Sequence, residues 1–167
     1  MTMTTTTTTT TTITTTTATT PPDPQQATTT LLAAAALPID AATGDAVCEV
    51  IAESLGRPRP SVELASNLFD DLGADSLDLL DVVFALEGRF AIEITRGALE
   101  QAARGDMTDD EFAPAGAISD AGLERLRALL PESRERIRPG LLPREIPRLF
   151  TVGTFARIVL AKRPGAT

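Results

Sequence analysis

Apolar residues recur at helical spacing in four stretches of the chain. Val47, Cys48, Val50, Ile51 and Leu55 share one face of a helix that Thr43 or Asp45 can cap and that Gly56 and Pro58 terminate. Leu79, Val82, Val83, Leu86 and Phe90 form a second stripe, on a helix that starts at Asp75 or Ser76 and runs to about Phe90. Leu123, Leu126 and Leu130 line a helix that begins at Asp120, with Ser119 as its cap and Pro131 as its stop. Val152, Phe155, Ile158 and Val159 point inward from a last helix capped by Thr151, and Lys162 and Arg163 suit the negative end of its dipole.

The connections are less regular. Arg57 to Ala74 reads as a loop anchored by Leu64, Leu68, Phe69 and Leu72. Thr95 to Arg104 predicts a short helix stopped by Gly105. Thr108-Asp109-Asp110-Glu111 fits a capping box, and Pro139 to Pro147 reads as an irregular connector. The helix after Asp75 carries a further, narrower stripe of Leu77, Leu80 and Phe84 that a core does not need, flanked by Asp78, Asp81 and Glu87.

Residues 1–38 depart from this pattern. Thr dominates from Thr2 to Thr20 and again at Thr28–Thr30, Pro21, Pro22 and Pro24 interrupt it, and Asp23 is the one charged side chain. Such a segment has too little apolar surface to offset the entropy of ordering it, so a disordered tail is expected, with the folded part at 39–167.

Composition narrows the fold and the chemistry. Aromatics are 4% of the chain, with no Trp and no Tyr, so Leu, Val, Ile and Ala must build the core, which favours an all-α bundle. No His is present and Cys48 is the lone cysteine, so neither a Ser–His nor a Cys–His catalytic pair exists, and zinc lacks its usual ligands. An intrachain disulfide is impossible, which suits a reducing cytoplasm. No apolar run approaches the ~20 residues of a membrane span, and no Lys or Arg precedes Arg57 to start a secretory signal.

The net charge of −8 is unevenly placed. Residues 40–94 hold 12 acidic and 3 basic side chains, whereas residues 95–167 hold 10 and 12. The first half is an acidic surface that suits basic partners and argues against nucleic acid.

One segment is chemically specific. In Leu72-Gly73-Ala74-Asp75-Ser76-Leu77-Asp78, Gly73 permits a tight turn, Asp75 caps the helix, and the Ser76 hydroxyl sits on the first turn near N–H groups and a dipole that favour a phosphate. The surrounding run LFDDLGADSLDLLDVVFALEGRFAIEI resembles the phosphopantetheine attachment region of acyl carrier proteins. DAVCEVIAESLG is similar to that family's first helix and FTVGTFARIV to its last.

The resemblance implies an acyl-carrier-like helical bundle and a covalent 4'-phosphopantetheine arm on Ser76, with Gly73 and Asp75 shaping the site. A phosphopantetheinyl transferase would move the arm from coenzyme A. The arm's thiol would then hold acyl intermediates as thioesters for fatty acid, polyketide or specialised lipid synthesis. It further implies that Leu77, Leu80 and Phe84 enter apolar pockets on acyl-transferring or acyl-modifying enzymes, while Asp78, Asp81 and Glu87 face basic patches around them. Val82, Leu86 and Ile158 would line an acyl cavity. The chain would be a monomer, catalyse nothing itself, and hold no metal.

The sequence departs from the family between the second and last helices. Residues 95–149 are far longer than the family's segment there, and read as a compact helical insertion carrying Arg134, Arg136, Arg138, Arg144 and Arg148. Two other functions stand beside carriage, a non-carrier acidic adaptor with the same fold and a small enzyme, which the missing His and the lone Cys48 disfavour; packing under the insertion is the other reading of the Leu77, Leu80 and Phe84 stripe.

Overall fold

A computed structural model describes residues 38–94 and 97–163. The Thr-rich segment at 1–37, Thr95 and Arg96 lie outside the described residues. Among the described residues there are six α-helices: α1 Ala41–Ser54, α2 Ser76–Phe90, α3 Ala98–Arg104, α4 Asp109–Phe112, α5 Asp120–Leu129 and α6 Val152–Lys162. Short 3-10 turns occupy Arg59–Ser61, Pro114–Gly116, Pro131–Arg136 and Pro143–Leu149. No strand occurs among the described residues beyond a single antiparallel bridge between Asn67 and Thr151.

Helix α1 starts earlier than its apolar pattern suggests. Its cap is Asp40, not Thr43 or Asp45: the Asp40 carboxylate accepts from the Thr43 N–H at 2.8 Å. Ala41 and Ala42 are good helix formers that carry no core side chain, so periodicity does not register them. The far end closes as a Schellman motif. Arg57 N donates to Ala52 O at 2.8 Å and Gly56 N to Glu53 O at 3.2 Å, with Gly56 at φ +59°.

Helix α1 packs against both α2 and α6. Val47, Ile51, Val82, Leu86, Phe155 and Val159 meet in this bundle and are at most 1% exposed. Each such side chain contributes about 1.5–3 kcal/mol by leaving water. The expected stripes thus face the core on both helices, with Val82 and Leu86 buried on α2 and Leu79, Val83 and Phe90 partly buried against that core.

A second layer forms from the segment between α2 and α6, where α3 packs on α5. Phe112 and Ile118 close over α5 at Gly122, where an added Cβ would come within 2.7 Å of Ile118 Cγ2 and 2.8 Å of Phe112 Cε2. Ser119 and Thr108 cap α5 and α4, and Gly105 ends α3 at φ +56°. The stretch read as an irregular connector from Pro139 is partly ordered. The Glu145 carboxylate accepts from Leu142 N at 2.9 Å and starts the turn Pro143–Leu149.

The two layers share one core. The Ser133 hydroxyl donates to Leu149 O. Glu132 accepts from the hydroxyls of Thr151 and Thr154 at 3.4 and 3.3 Å and pairs with Arg157. These bonds place a carboxylate over the N-terminus of α6, where the helix dipole favours it.

Candidate functional site

The loop before α2 is organised around Asn67, which is 2% exposed. Its side-chain oxygen accepts from Phe69 N and Asp70 N, each at 3.0 Å, and its amide donates to Arg148 O at 2.8 Å. Its backbone carbonyl accepts from Asp71 N and Leu72 N, both at 3.1 Å. Leu68 N donates to Phe150 O at 3.1 Å, Val152 N to Ser66 O at 3.0 Å and Gly153 N to Leu64 O at 2.8 Å, stitching the loop to the chain entering α6. This approach needs Gly153, because a Cβ there would sit 3.0 Å from Leu64 O.

The loop's last residues aim the chain into α2. Arg57 Nη2 donates to Leu72 O at 2.7 Å, Gly73 turns at φ +69°, and Ala74 N donates to Leu68 O at 2.8 Å. Asp75 is extended and caps the helix: its Oδ1 accepts from Leu77 N at 2.7 Å and Asp78 N at 3.0 Å. Asp78 Oδ2 accepts in turn from Asp75 N at 2.8 Å, completing a capping box.

Ser76 is the first residue of α2 and is exposed. Its hydroxyl has no hydrogen-bond partner among the described residues. The capping is done by its neighbour, which leaves the hydroxyl available for chemistry. One expectation changes here. Asp75 already takes the Leu77 and Asp78 N–H groups, so an anion on Ser76 would meet the helix dipole and not those two donors.

The proposed docking residues all lie on α2, but they are not equivalent. Leu77 and Phe84 are 70% and 59% exposed and are the large exposed hydrophobics among the described residues. They therefore do not pack under the segment between α2 and α6. Asp81 is exposed and Leu80 half-buried. Asp78 and Glu87 are half-buried and each has a structural task, Asp78 in the capping box and Glu87 accepting from Ile94 N at 2.6 Å.

Other candidate groups sit deeper. Val82, Leu86 and Ile158, expected to line an acyl cavity, are buried in the shared core. An open cavity of about 350 Å³ lies instead between α1 and the loop, lined by Ile39, Gly44, Cys48, Val62 and Leu64 among others. Burial of Cys48 pushes its thiol up from its ordinary value, which makes it a poor nucleophile. No described helix is long and apolar enough to cross a membrane.

Residues 45–104 match a family described as the phosphopantetheine attachment site. The match takes in most of α1, the whole Asn67 loop, α2 and α3. An acyl carrier protein of Campylobacter jejuni subsp. doylei is 45% identical over 53 residues, which cover 69% of its length and 32% of this chain. The chain belongs to the acyl carrier protein family.

A further acyl carrier protein, from Campylobacter fetus subsp. fetus, is 40% identical over 60 residues, 78% of its length and 36% of this chain. Acyl carrier protein AcpXL of Rhizobium meliloti (strain 1021) is 47% identical over 53 residues. The chain spans 56% of that relative's length, and the aligned part is 32% of the chain. No solved structure matches. The family match ends with α3, so α6, read as similar to the family's last helix, lies beyond it.

The turn at Gly73, the cap at Asp75 and the helix start at Ser76 lie where the sequence pattern puts them, whereas the roles of Asn67 and Arg57 do not follow from it. An Asn set among the apolar anchors of the loop was the available signal for Asn67. The contact of Arg57 with Leu72, 15 residues away, left none.

Proposed function

We propose that Ser76 is the attachment point for a 4'-phosphopantetheine arm and that the chain carries acyl groups through it. The observation that carries this reading is the Ser76 hydroxyl itself. It is exposed, unbonded among the described residues, and fixed on the first turn of α2 by a cap that does not use it. When attached, the arm supplies a thiol that holds acyl groups as thioesters.

The chain's own residues present that arm. The turn at Gly73 and the Asn67 loop hold the start of α2 in place. Asp75 uses only Oδ1 for capping. Its Oδ2 suits a Mg²⁺ brought by a transferase with coenzyme A, since Mg²⁺ prefers carboxylate and phosphate oxygens. With no His in the chain, the base for transfer belongs to the phosphopantetheinyl transferase, and the carrier is not an enzyme.

Leu77, Phe84 and Asp81 form the open part of the face that meets acyl-transferring or acyl-modifying enzymes. Leu80, Asp78 and Glu87 support it. Weak apolar insertion steered by acids gives the fast exchange a shuttle needs. We place the protein in the cytoplasm as a monomer serving fatty acid, polyketide or specialised lipid synthesis, and take residues 95–149 as an insertion that enlarges the bundle.

Coexpression with a phosphopantetheinyl transferase, followed by intact-mass measurement, tests this reading. The wild-type chain gains one arm and Ser76→Ala gains none. A wild-type chain that stays unmodified leaves an acidic adaptor of the same fold as the better description.

A further inference from the structure

The edge formed by residues 131–149 carries five arginines and three acids. Its two 3-10 turns are held together where the Ser133 hydroxyl donates to Leu149 O. It is anchored to the loop before α2 by the ion pair of Arg136 with Asp70 and by the Asn67 amide on Arg148 O at 2.8 Å. Asp70 precedes Ser76 by six residues, so their Cα atoms are no more than about 22 Å apart.

Most of the arginines on this edge have no ion-pair partner among the described residues. Glu132 is engaged with Thr151, Thr154 and Arg157, and Glu145 with Leu142 N. Among the described residues, Arg134, Arg138, Arg144 and Arg148 have no carboxylate within ion-pair distance, and all four are exposed. Guanidinium groups on a backbone held this firmly are ready for two-pronged bonds to carboxylates.

We propose that this arginine edge is a second docking surface, which takes an acidic patch on a protein partner and is separate from the acidic, apolar face of α2. The chemistry selects that occupant. A bilayer would need an exposed apolar side chain to insert, and Leu77 and Phe84, the large exposed ones described, both lie on α2. A nucleic-acid backbone would run its continuous charge past exposed Glu135 and the exposed Asp70 and Asp71, on a chain of net charge −8. Two copies of that charge also repel each other. Separate carboxylates on a folded protein can meet the arginines one by one. Leu141 and Leu142, half-buried between Arg138 and Arg144, supply the apolar floor common at protein interfaces.

The carrier then has two faces of opposite preference. Basic partners meet α2 and acidic ones meet the arginine edge, with the Asn67 loop between them. This inference does not rest on the arm, so its test uses the full, unmodified chain.

Fluorescence anisotropy with a labelled Asp/Glu-rich peptide at low salt reads the interaction. The wild-type chain binds the peptide, and added salt weakens binding. The triple variant Arg134→Gln, Arg144→Gln, Arg148→Gln binds at least ~10-fold more weakly. Arg89→Gln, an exposed arginine on α2, binds as wild type. An unchanged circular-dichroism melt shows that the triple variant is folded. Absence of peptide binding, or equal affinity in the triple variant, overturns the proposal. So does tighter binding to phosphatidylglycerol vesicles or duplex DNA than to the peptide. Self-association in sedimentation that the triple variant abolishes would assign the edge to a second copy and overturn it too.

Discussion

The side-chain amide of Asn67 donates to the backbone carbonyl of Arg148 at 2.8 Å, joining residues 81 positions apart. This bond ties the loop that presents Ser76 to the turn that leads into α6. The same side chain caps the loop from within through Phe69 N and Asp70 N. One buried amide therefore holds both the loop before α2 and the edge beside it.

Asn67→Ala should remove three hydrogen bonds and leave the Arg148 carbonyl without this donor. A loss of about 2–3 kcal/mol is expected in urea denaturation. Hydrogen exchange should accelerate at Asp71, Leu72 and Ala74. Protection that stays at the wild-type level there would show that the loop is held by other means.

The same substitution should have opposite signs at two helical glycines. Gly88 lies exposed in α2, and an added Cβ meets nothing within 4 Å. Gly88→Ala should raise stability by about 0.5–1 kcal/mol, because alanine restricts the unfolded chain. Gly122→Ala drives a methyl into Phe112 and Ile118 and should lower it by about 1–3 kcal/mol. Paired thermal melts compare them directly.

Stability should fall on the acid side through two helix caps. The backbone N–H of Thr43 holds the Asp40 carboxyl below its ordinary 3.8, and Arg163 helps slightly. The Thr108 backbone N–H and hydroxyl hold Glu111 below its ordinary 4.5. In both cases the unfolded chain binds the proton more readily than the folded one. The contribution is therefore complete above those ordinary values and is lost as pH falls through the lowered ones. Urea midpoints followed from neutral pH into that range should drop, and Asp40→Asn should flatten the drop.

Phe84→Ala separates docking from folding. Phe84 is 59% exposed, so its removal should shift stability by no more than about 0.5 kcal/mol. Modification by the transferase should slow through a raised KM. A wild-type KM would remove Phe84 from the docking face.

The helices were legible because their chemistry is local. Apolar stripes, Ser119, Thr108 and Thr151 caps, and the Gly56 and Gly105 stops all announce themselves within a turn of the residues they affect. The Asp75 cap and the place of Ser76 on the first turn of α2 were legible for the same reason. The cap of α1 was misplaced because Asp40 precedes two alanines that carry no periodic signal. Asn67 with Arg148, Ser133 with Leu149, and Glu132 with Arg157 were not legible, because each pairs residues from distant parts of the chain. Nor does spacing reveal that Asp78 and Glu87 spend a carboxylate oxygen on the backbone.

The most direct measurement is tandem mass spectrometry of the peptide containing Asp75-Ser76-Leu77, from the chain purified out of its native host. Carriage through Ser76 requires a phosphopantetheine adduct on that serine, with or without an acyl group on its thiol. An unmodified Ser76 in all of the recovered protein, or an arm on another residue, would contradict it.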